Sequence, residues 1–151
     1  MTHAAPAESW SVRPATDDDY DAIVEVWRRS GMDVRLSGRE GRSAYRLQLA
    51  RFADSYLVAV DGAAVIGVVL GTHDHRKGWS NRLAVHPAYQ RRGVAAALVG
   101  ACESALRRHG LGIVAALVEP DRRTSASLFR SLGYATDVPL TYFRKPFDPQ
   151  A

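Results

Sequence analysis

The sequence predicts one mixed α/β domain built on a single sheet. Three observations carry that prediction. Apolar segments of strand length alternate with amphipathic helical ones. The run 113–118 is unbroken and apolar, as in a strand covered on both faces. No linker, repeat or low-complexity tract divides the 151 residues, a length that suits one domain. The predicted order is β-α-α-β-β-β-α-β-α-β-β, over residues 11–147, with an Ala/Pro-rich start at 1–10 expected to fray.

A short strand at 11–13 runs into Pro14. Thr16 then stands before Asp17, Asp18 and Asp19, a hydroxyl cap with three acids that complements a helix start. Tyr20, Ile23 and Trp27 follow at helical spacing, and Gly31 closes the helix. A second helix is predicted over 39–53, with Tyr45, Leu49 and Phe52 on one side. Residues 56–60 and 64–70 read as strands joined at Asp61-Gly62, a hairpin signal. The stretch 71–78 reads as a polar loop holding His73, Asp74, His75, Arg76 and Lys77.

Residues 79–85 form the next predicted strand and 86–89 a turn. A long helix is predicted over 93–109, with Val94, Leu98, Ala101, Cys102 and Ala105 on one stripe. Arg107, Arg108 and His109 fill its last turn and Gly110 follows, which is favourable stop chemistry. After the apolar strand 113–118, residues 124–132 read as a helix closed by Gly133. Residues 134–136 and 142–145 are predicted as closing strands.

Composition narrows the function classes. Hydrophobic residues make up 46% and charged residues 24%, ordinary for a globular chain. No apolar run reaches the ~18 residues of a membrane span, and the first residues lack a secretory apolar core. Cys102 is the only cysteine, so neither a disulfide framework nor a thiolate metal cluster is expected, and a reducing cytoplasm is the expected setting. The net charge is +4, and 18 of the 20 cations are Arg. That bias points to an acidic or phosphate-bearing partner, because the guanidinium fork pairs with planar anions better than an ammonium. The Arg pairs at 28–29, 91–92, 107–108 and 122–123 mark helix ends and do not form one aromatic-interleaved stripe, which argues against nucleic acid. His73-Asp74-His75 lacks the spacing of a metal site, and no metal is expected.

Chemistry concentrates in Leu83-Ala84-Val85-His86-Pro87-Ala88-Tyr89-Gln90-Arg91-Arg92-Gly93-Val94-Ala95. A strand leads through a basic turn into a long helix, whose first amides are unpaired and partly positive. Gly93 and small Ala95 let an anion approach the backbone, and Arg91 and Arg92 add full charges. Taken alone, these residues fit a phosphate cradle and a basic helix start equally well.

Gln90-Arg91-Arg92-Gly93-Val94-Ala95 resembles the Gln/Arg-x-x-Gly-x-Gly/Ala loop of the GCN5-related N-acetyltransferase superfamily. Leu83-Ala84-Val85 with Pro87 is similar to its usual lead-in. Leu128-Phe129-Arg130-Ser131-Leu132-Gly133-Tyr134 resembles the family's late helix ending in Gly-Phe or Gly-Tyr. The resemblance covers residues 12–145. It implies the family's three-layer acyl-CoA N-acyltransferase fold and acetyl-CoA as co-substrate. The backbone of Leu83, Ala84 and Val85 would pair with the pantetheine arm. Gln90 and the amides of Arg91, Arg92, Gly93, Val94 and Ala95 would hold the pyrophosphate, with Phe129 near the cofactor and Arg122 or Arg123 near its outer phosphate. It further implies direct transfer to a primary amine of a small molecule or peptide, without an acyl-enzyme. A backbone N–H at or next to Val85 would polarise the carbonyl. A homodimer is compatible with the family and is not decided by the sequence.

Two departures from the family pattern stand out. Phe129 occupies the position where a Tyr commonly protonates the leaving thiolate, and Arg122 stands where Asn is common. A proton would then come from water, from another residue such as Tyr142, or not at all. The usual base positions are taken by Trp79 and Asn81, which do not titrate, leaving them as acceptor-binding candidates and Glu119 as the next carboxylate. An unperturbed lysine amine is neutral in about 1 in 2500 molecules at pH 7, an α-amine in about 1 in 10. A site without a base therefore suits low-pKa amines, or draws on a water chain to His73 and His75. A non-catalytic acyl-CoA-binding module is the alternative reading. Cys102, on the apolar stripe with no His to activate it, is expected to be a buried packing residue.

Overall fold

The alternating residues of the first half fold as an antiparallel meander. In a computed structural model, which describes residues 9–136 and 138–151, strands β1 (Trp10–Pro14), β2 (Tyr56–Asp61), β3 (Ala64–His73) and β4 (Gly78–Val85) pair in that order. A fifth strand, β5 (Val114–Ala115), joins β4 in parallel. Helices α1 (Tyr20–Arg29) and α2 (Arg42–Arg51) fall between β1 and β2, α3 (Val94–Arg108) between β4 and β5, and α4 (Arg123–Ser131) after β5.

Period-two alternation splits the core into two layers. Tyr56 and Val58 pack with Ile23, Trp27, Tyr45 and Val68 on the α1–α2 side. Leu57 and Ala59 face the other way, onto Ile66, Val69, Leu98, Cys102 and Leu106. The entry to α1 is pinned by Asp19, whose carboxylate accepts the Thr16 N–H at 2.8 Å and two bonds from Arg13 at 2.8 and 3.0 Å.

Helix α3 sits unusually close to the sheet because glycines line its track. A Cβ on Gly67 would stand 2.9 Å from Leu98 Cδ1, one on Gly71 2.7 Å from Cys102 Sγ, and one on Gly78 2.9 Å from Leu106 Cδ1. Leu98, Cys102 and Leu106 are spaced i, i+4, i+8, so one helical stripe drops into a glycine groove. Cys102 is fully buried, as its place on that stripe led us to expect.

The structure corrects several boundaries. Trp10, placed in the fraying start, opens β1 opposite Asp61; the rest of that expectation, apart from Ser9, lies outside the described residues. β3 continues through His73 and β4 begins at Gly78, so the predicted loop 71–78 shrinks to residues 74–77. The apolar run 113–118 forms a strand only at Val114–Ala115, with Ile113 and Leu117 exposed. No strand forms at 134–136 or 142–145, so the two predicted closing strands are absent from the described residues. The physical reason is local. With β5 reduced to two residues there is no edge for them to extend, and Tyr142 and Phe143 stay solvated.

Candidate active site

The sheet opens where the sequence placed its chemistry. β4 pairs with β3 through Ala84 and Val85, yet meets β5 only at Gly78 and Trp79. Beyond that point the two strands part, and the outer edge of Leu83, Ala84 and Val85 has no strand against it among the described residues. Main-chain N–H and C=O groups on such an edge are ready to receive an extended chain.

β4 also carries a bulge. Pairing runs from Val68↔Ala84 to Leu70↔Asn81, so β4 carries one residue more than β3, and Arg82 adopts φ 55°. The bulge is latched to α1: Trp27 Nε1 donates to the Arg82 carbonyl at 3.1 Å, and the Arg82 guanidinium lies 4.6 Å from the Trp27 ring centre. Its Nη2 donates to the Asp33 carbonyl at 2.8 Å, while its Nε stands 3.7 Å from buried Glu40 and makes no hydrogen bond. Burial lowers the pKa of this guanidinium. The Tyr56 hydroxyl is also buried without a partner on the same face. Sequence reasoning marked Arg82 only as the neighbour of Asn81 that binds polar substrate atoms or forms an ordinary strand edge, and marked neither Glu40 nor Tyr56, since nothing local signals a bulge or a buried carboxylate in a loop.

At the far end of β4 the turn into α3 holds two left-handed residues. Arg91 has φ 63° and Gly93 φ 80°, and a Cβ built on Gly93 meets nothing within 4 Å. Left-handed residues in a turn expose main-chain N–H groups that an anion can take. No side chain caps α3, so its first-turn amides are not taken by a capping group. Arg91 and Arg92 are exposed beside them, Arg92 stacked 4.7 Å over Tyr89. Gln90 reaches back to the Val85 carbonyl at 3.5 Å. The open edge and this cradle are contiguous, and they fit a ligand with an extended amide arm and a diphosphate.

The sequence pattern of the Acetyltransferase (GNAT) family matches residues 16–134. The chain belongs to that family. It is an acetyl-CoA-dependent N-acetyltransferase. It is 27% identical over 125 residues to an acetyltransferase of Pectobacterium atrosepticum, covering 83% of this chain and 87% of that one. Against an acetyltransferase of Sodalis glossinidius the identity is 28% over 123 residues, with 82% and 85% covered. Among solved structures it resembles the PaiA N-acetyltransferase of Thermoplasma acidophilum in complex with coenzyme A, at TM-score 0.76 and 17% identity over 85% of this chain and 91% of that one. An aminoglycoside acetyltransferase, AAC(6')-Iy, in complex with a bisubstrate analogue gives TM-score 0.76 and 16% identity, with 92% and 99% covered.

The remaining candidate residues of this acetyltransferase fall into place less evenly. The Asn81 amide is spent within the sheet, on the Leu70 carbonyl at 3.2 Å and Thr72 Oγ1 at 2.9 Å. Trp79 is half-buried at the β4–β5 junction with Lys77 5.5 Å over its ring. Glu119 is exposed beyond β5, and its carbonyl accepts the Arg122 N–H. Tyr142 is 73% exposed in the chain after α4, apart from the site residues. Arg122 donates to the Gly31 carbonyl at 3.1 Å, just past the end of α1. His73 pairs with Gly78, so about 17 Å of strand separates it from Leu83.

Phe129 is buried and packs edge-on against Tyr134, ring centres 4.9 Å apart. The Tyr134 hydroxyl donates to Glu103 at 3.1 Å, and burial pushes its pKa up to about 12. The sequence placed Tyr134 at the end of the late-helix pattern and in a closing strand, and gave it no catalytic role, because a side chain folding back over α4 has no periodic signal.

Proposed function

We propose that the protein transfers acetyl directly from acetyl-CoA to a primary amine of a small molecule or peptide, within a ternary complex. The observation that carries this reading is the unpaired β4 edge, Leu83–Val85, running into the Arg91–Gly93 cradle. Pantetheine would lie along the edge and the pyrophosphate in the cradle, leaving the thioester near the bulge at Arg82. Burial of Cys102, which also raises its thiol pKa, supports transfer without an acyl-enzyme, since the only cysteine is no nucleophile. A lone buried thiol also suits a reducing cytoplasm.

The acceptor would approach from the α1–α2 side, where Asp33, Glu40 and Arg82 gather and where two buried polar atoms lack partners. With no titrating group at Trp79 or Asn81, low-pKa amines are the preferred acceptors. For the departing thiolate we propose Tyr134, a phenol kept protonated by burial and packed against the Phe129 that replaces the family's Tyr.

Initial velocities with acetyl-CoA varied against amines of graded pKa test the reading. Intersecting lines, and turnover that falls as amine pKa rises, are expected. Parallel lines with acetyl label retained on the protein would overturn direct transfer, and CoA binding without turnover on any amine would favour a binding module.

A further inference from the structure

At the opposite end of α3 from the cradle, five side chains from four segments converge on a pocket of ≈180 Å³. Arg51 and Phe52 come from the end of α2, His73 from the end of β3, His75 from the following turn and His109 from the residue after α3. The His73 ring centre lies 4.7 Å from that of His75, 4.9 Å from that of His109 and 5.8 Å from the Phe52 ring. Nothing in the acetyl-transfer reading uses this cluster. α3 alone, at about 1.5 Å per residue, puts it roughly 22 Å from the cradle.

The charges around the pocket are lopsided. Arg51 is a fixed cation, and three imidazoles can each become one. Two carboxylates stand nearby, and each already takes hydrogen bonds. Asp54 takes His109 Nε2 at 2.9 and 3.1 Å, and Asp74 accepts the backbone N–H groups of Arg76 and Lys77 at 2.9 Å each. Arg107 and Arg108, in the last turn of α3, add positive potential from the helix side, and Arg76 adds it from the turn. His73 Nδ1 accepts the His75 N–H at 3.3 Å, which leaves its Nε2 to carry a proton outward in the neutral ring. Among the described residues, the side chains that line the pocket are one guanidinium, three imidazoles and a phenyl ring, with no carboxylate.

We propose that this pocket is a second anion site, which takes a small tetrahedral oxyanion between Arg51 and the imidazoles of His73, His75 and His109. Binding strengthens as pH falls through the imidazole range, because each added proton adds a donor and a charge. A transition-metal site on the same rings would show the opposite sign, since imidazole must be unprotonated to ligate.

The test is calorimetric titration with sulfate, whose charge is constant between pH 6.0 and 7.5, on protein saturated with CoA so that the cradle is filled. Saturable binding at least fivefold tighter at pH 6.0 than at 7.5 is expected. Arg51→Ala and His73→Asn are each expected to weaken it tenfold or more, leaving CoA affinity unchanged; Arg51 is exposed, so its variant folds even where the histidine variant does not. Absence of saturable binding at pH 6.0, affinity independent of pH, or full affinity in Arg51→Ala overturns the proposal. So does Zn²⁺ binding that tightens with rising pH and is unaffected by sulfate.

Discussion

Trp27 and Arg82 hold each other twice: the indole N–H meets the Arg82 carbonyl at 3.1 Å, and the Arg82 guanidinium covers the indole face at 4.6 Å. The bulge in β4 thus depends on α1, a helix 55 residues earlier. Trp27→Phe keeps a ring but strands a part-buried carbonyl, a loss of about 1–3 kcal/mol. Thermal unfolding should register that loss. A larger fall in kcat/KM than in stability is expected as well, because the bulge sets the line of the Leu83–Val85 edge. Unchanged kinetics at reduced stability would confine the latch to a folding role.

Gly71 leaves no room for a methyl group. In Gly71→Ala the new Cβ would stand 2.7 Å from Cys102 Sγ and 2.9 Å from Ser55 Cβ. Overpacking of this kind costs about 1–3 kcal/mol. Adding Cys102→Ala should recover part of that cost, since only Ser55 then remains in the way. Chemical denaturation of the two single variants and the double variant measures the coupling.

Arg91 separates strain from charge. Its φ of 63° is left-handed, where a non-glycine residue pays of order 1 kcal/mol or more. Arg91→Gly should therefore raise the melting temperature while weakening CoA, as the cation beside the cradle is lost. Arg91→Ala should weaken CoA without the stability gain. Equal CoA affinity in wild type and both variants would remove Arg91 from the cofactor site.

Tyr134→Phe removes the proposed proton donor and keeps the ring contact with Phe129. A general acid contributes about 10²–10⁴ in rate. A fall of at least about tenfold in kcat, with the KM for acetyl-CoA unchanged, is expected. If kcat holds, water protonates the thiolate.

The pH dependence of stability follows from His73. Desolvation first, then the neighbouring His75 and His109, hold its pKa below the usual 6.5. The unfolded chain therefore binds the proton more readily than the folded one. That contribution to stability is complete above pH 6.5 and is lost as pH falls below it. Denaturation midpoints in an anion-poor buffer should drop between pH 7.5 and 5.5, and His73→Asn should flatten the slope.

Much of the fold was legible because it is periodic. The α3 stripe of Val94, Leu98 and Cys102, the Asp61-Gly62 hairpin and the Gly93 helix start are local patterns with local causes. The cradle was readable for the same reason. What escaped depends on contacts distant in sequence. The bulge at Arg82 is imposed across β3, Glu40 is buried by its loop's packing, and His109 meets His73 only through the tertiary fold. The run 113–118 misled because apolarity marks burial, and here the chain leaves its partner after two residues.

The gap between β4 and β5 has a consequence for how such a chain can change over time. On the cofactor placement proposed above, the recognition surface there is peptide bond, which every residue type except proline supplies in full. Point substitutions along Leu83–Val85 therefore do little to erase it, whereas the α1–α2 side presents side chains that any substitution alters. Use of one donor is stored in the shape of the main chain, and choice of acceptor in residues free to drift. A lineage built this way can exchange one amine for another without relearning its cofactor.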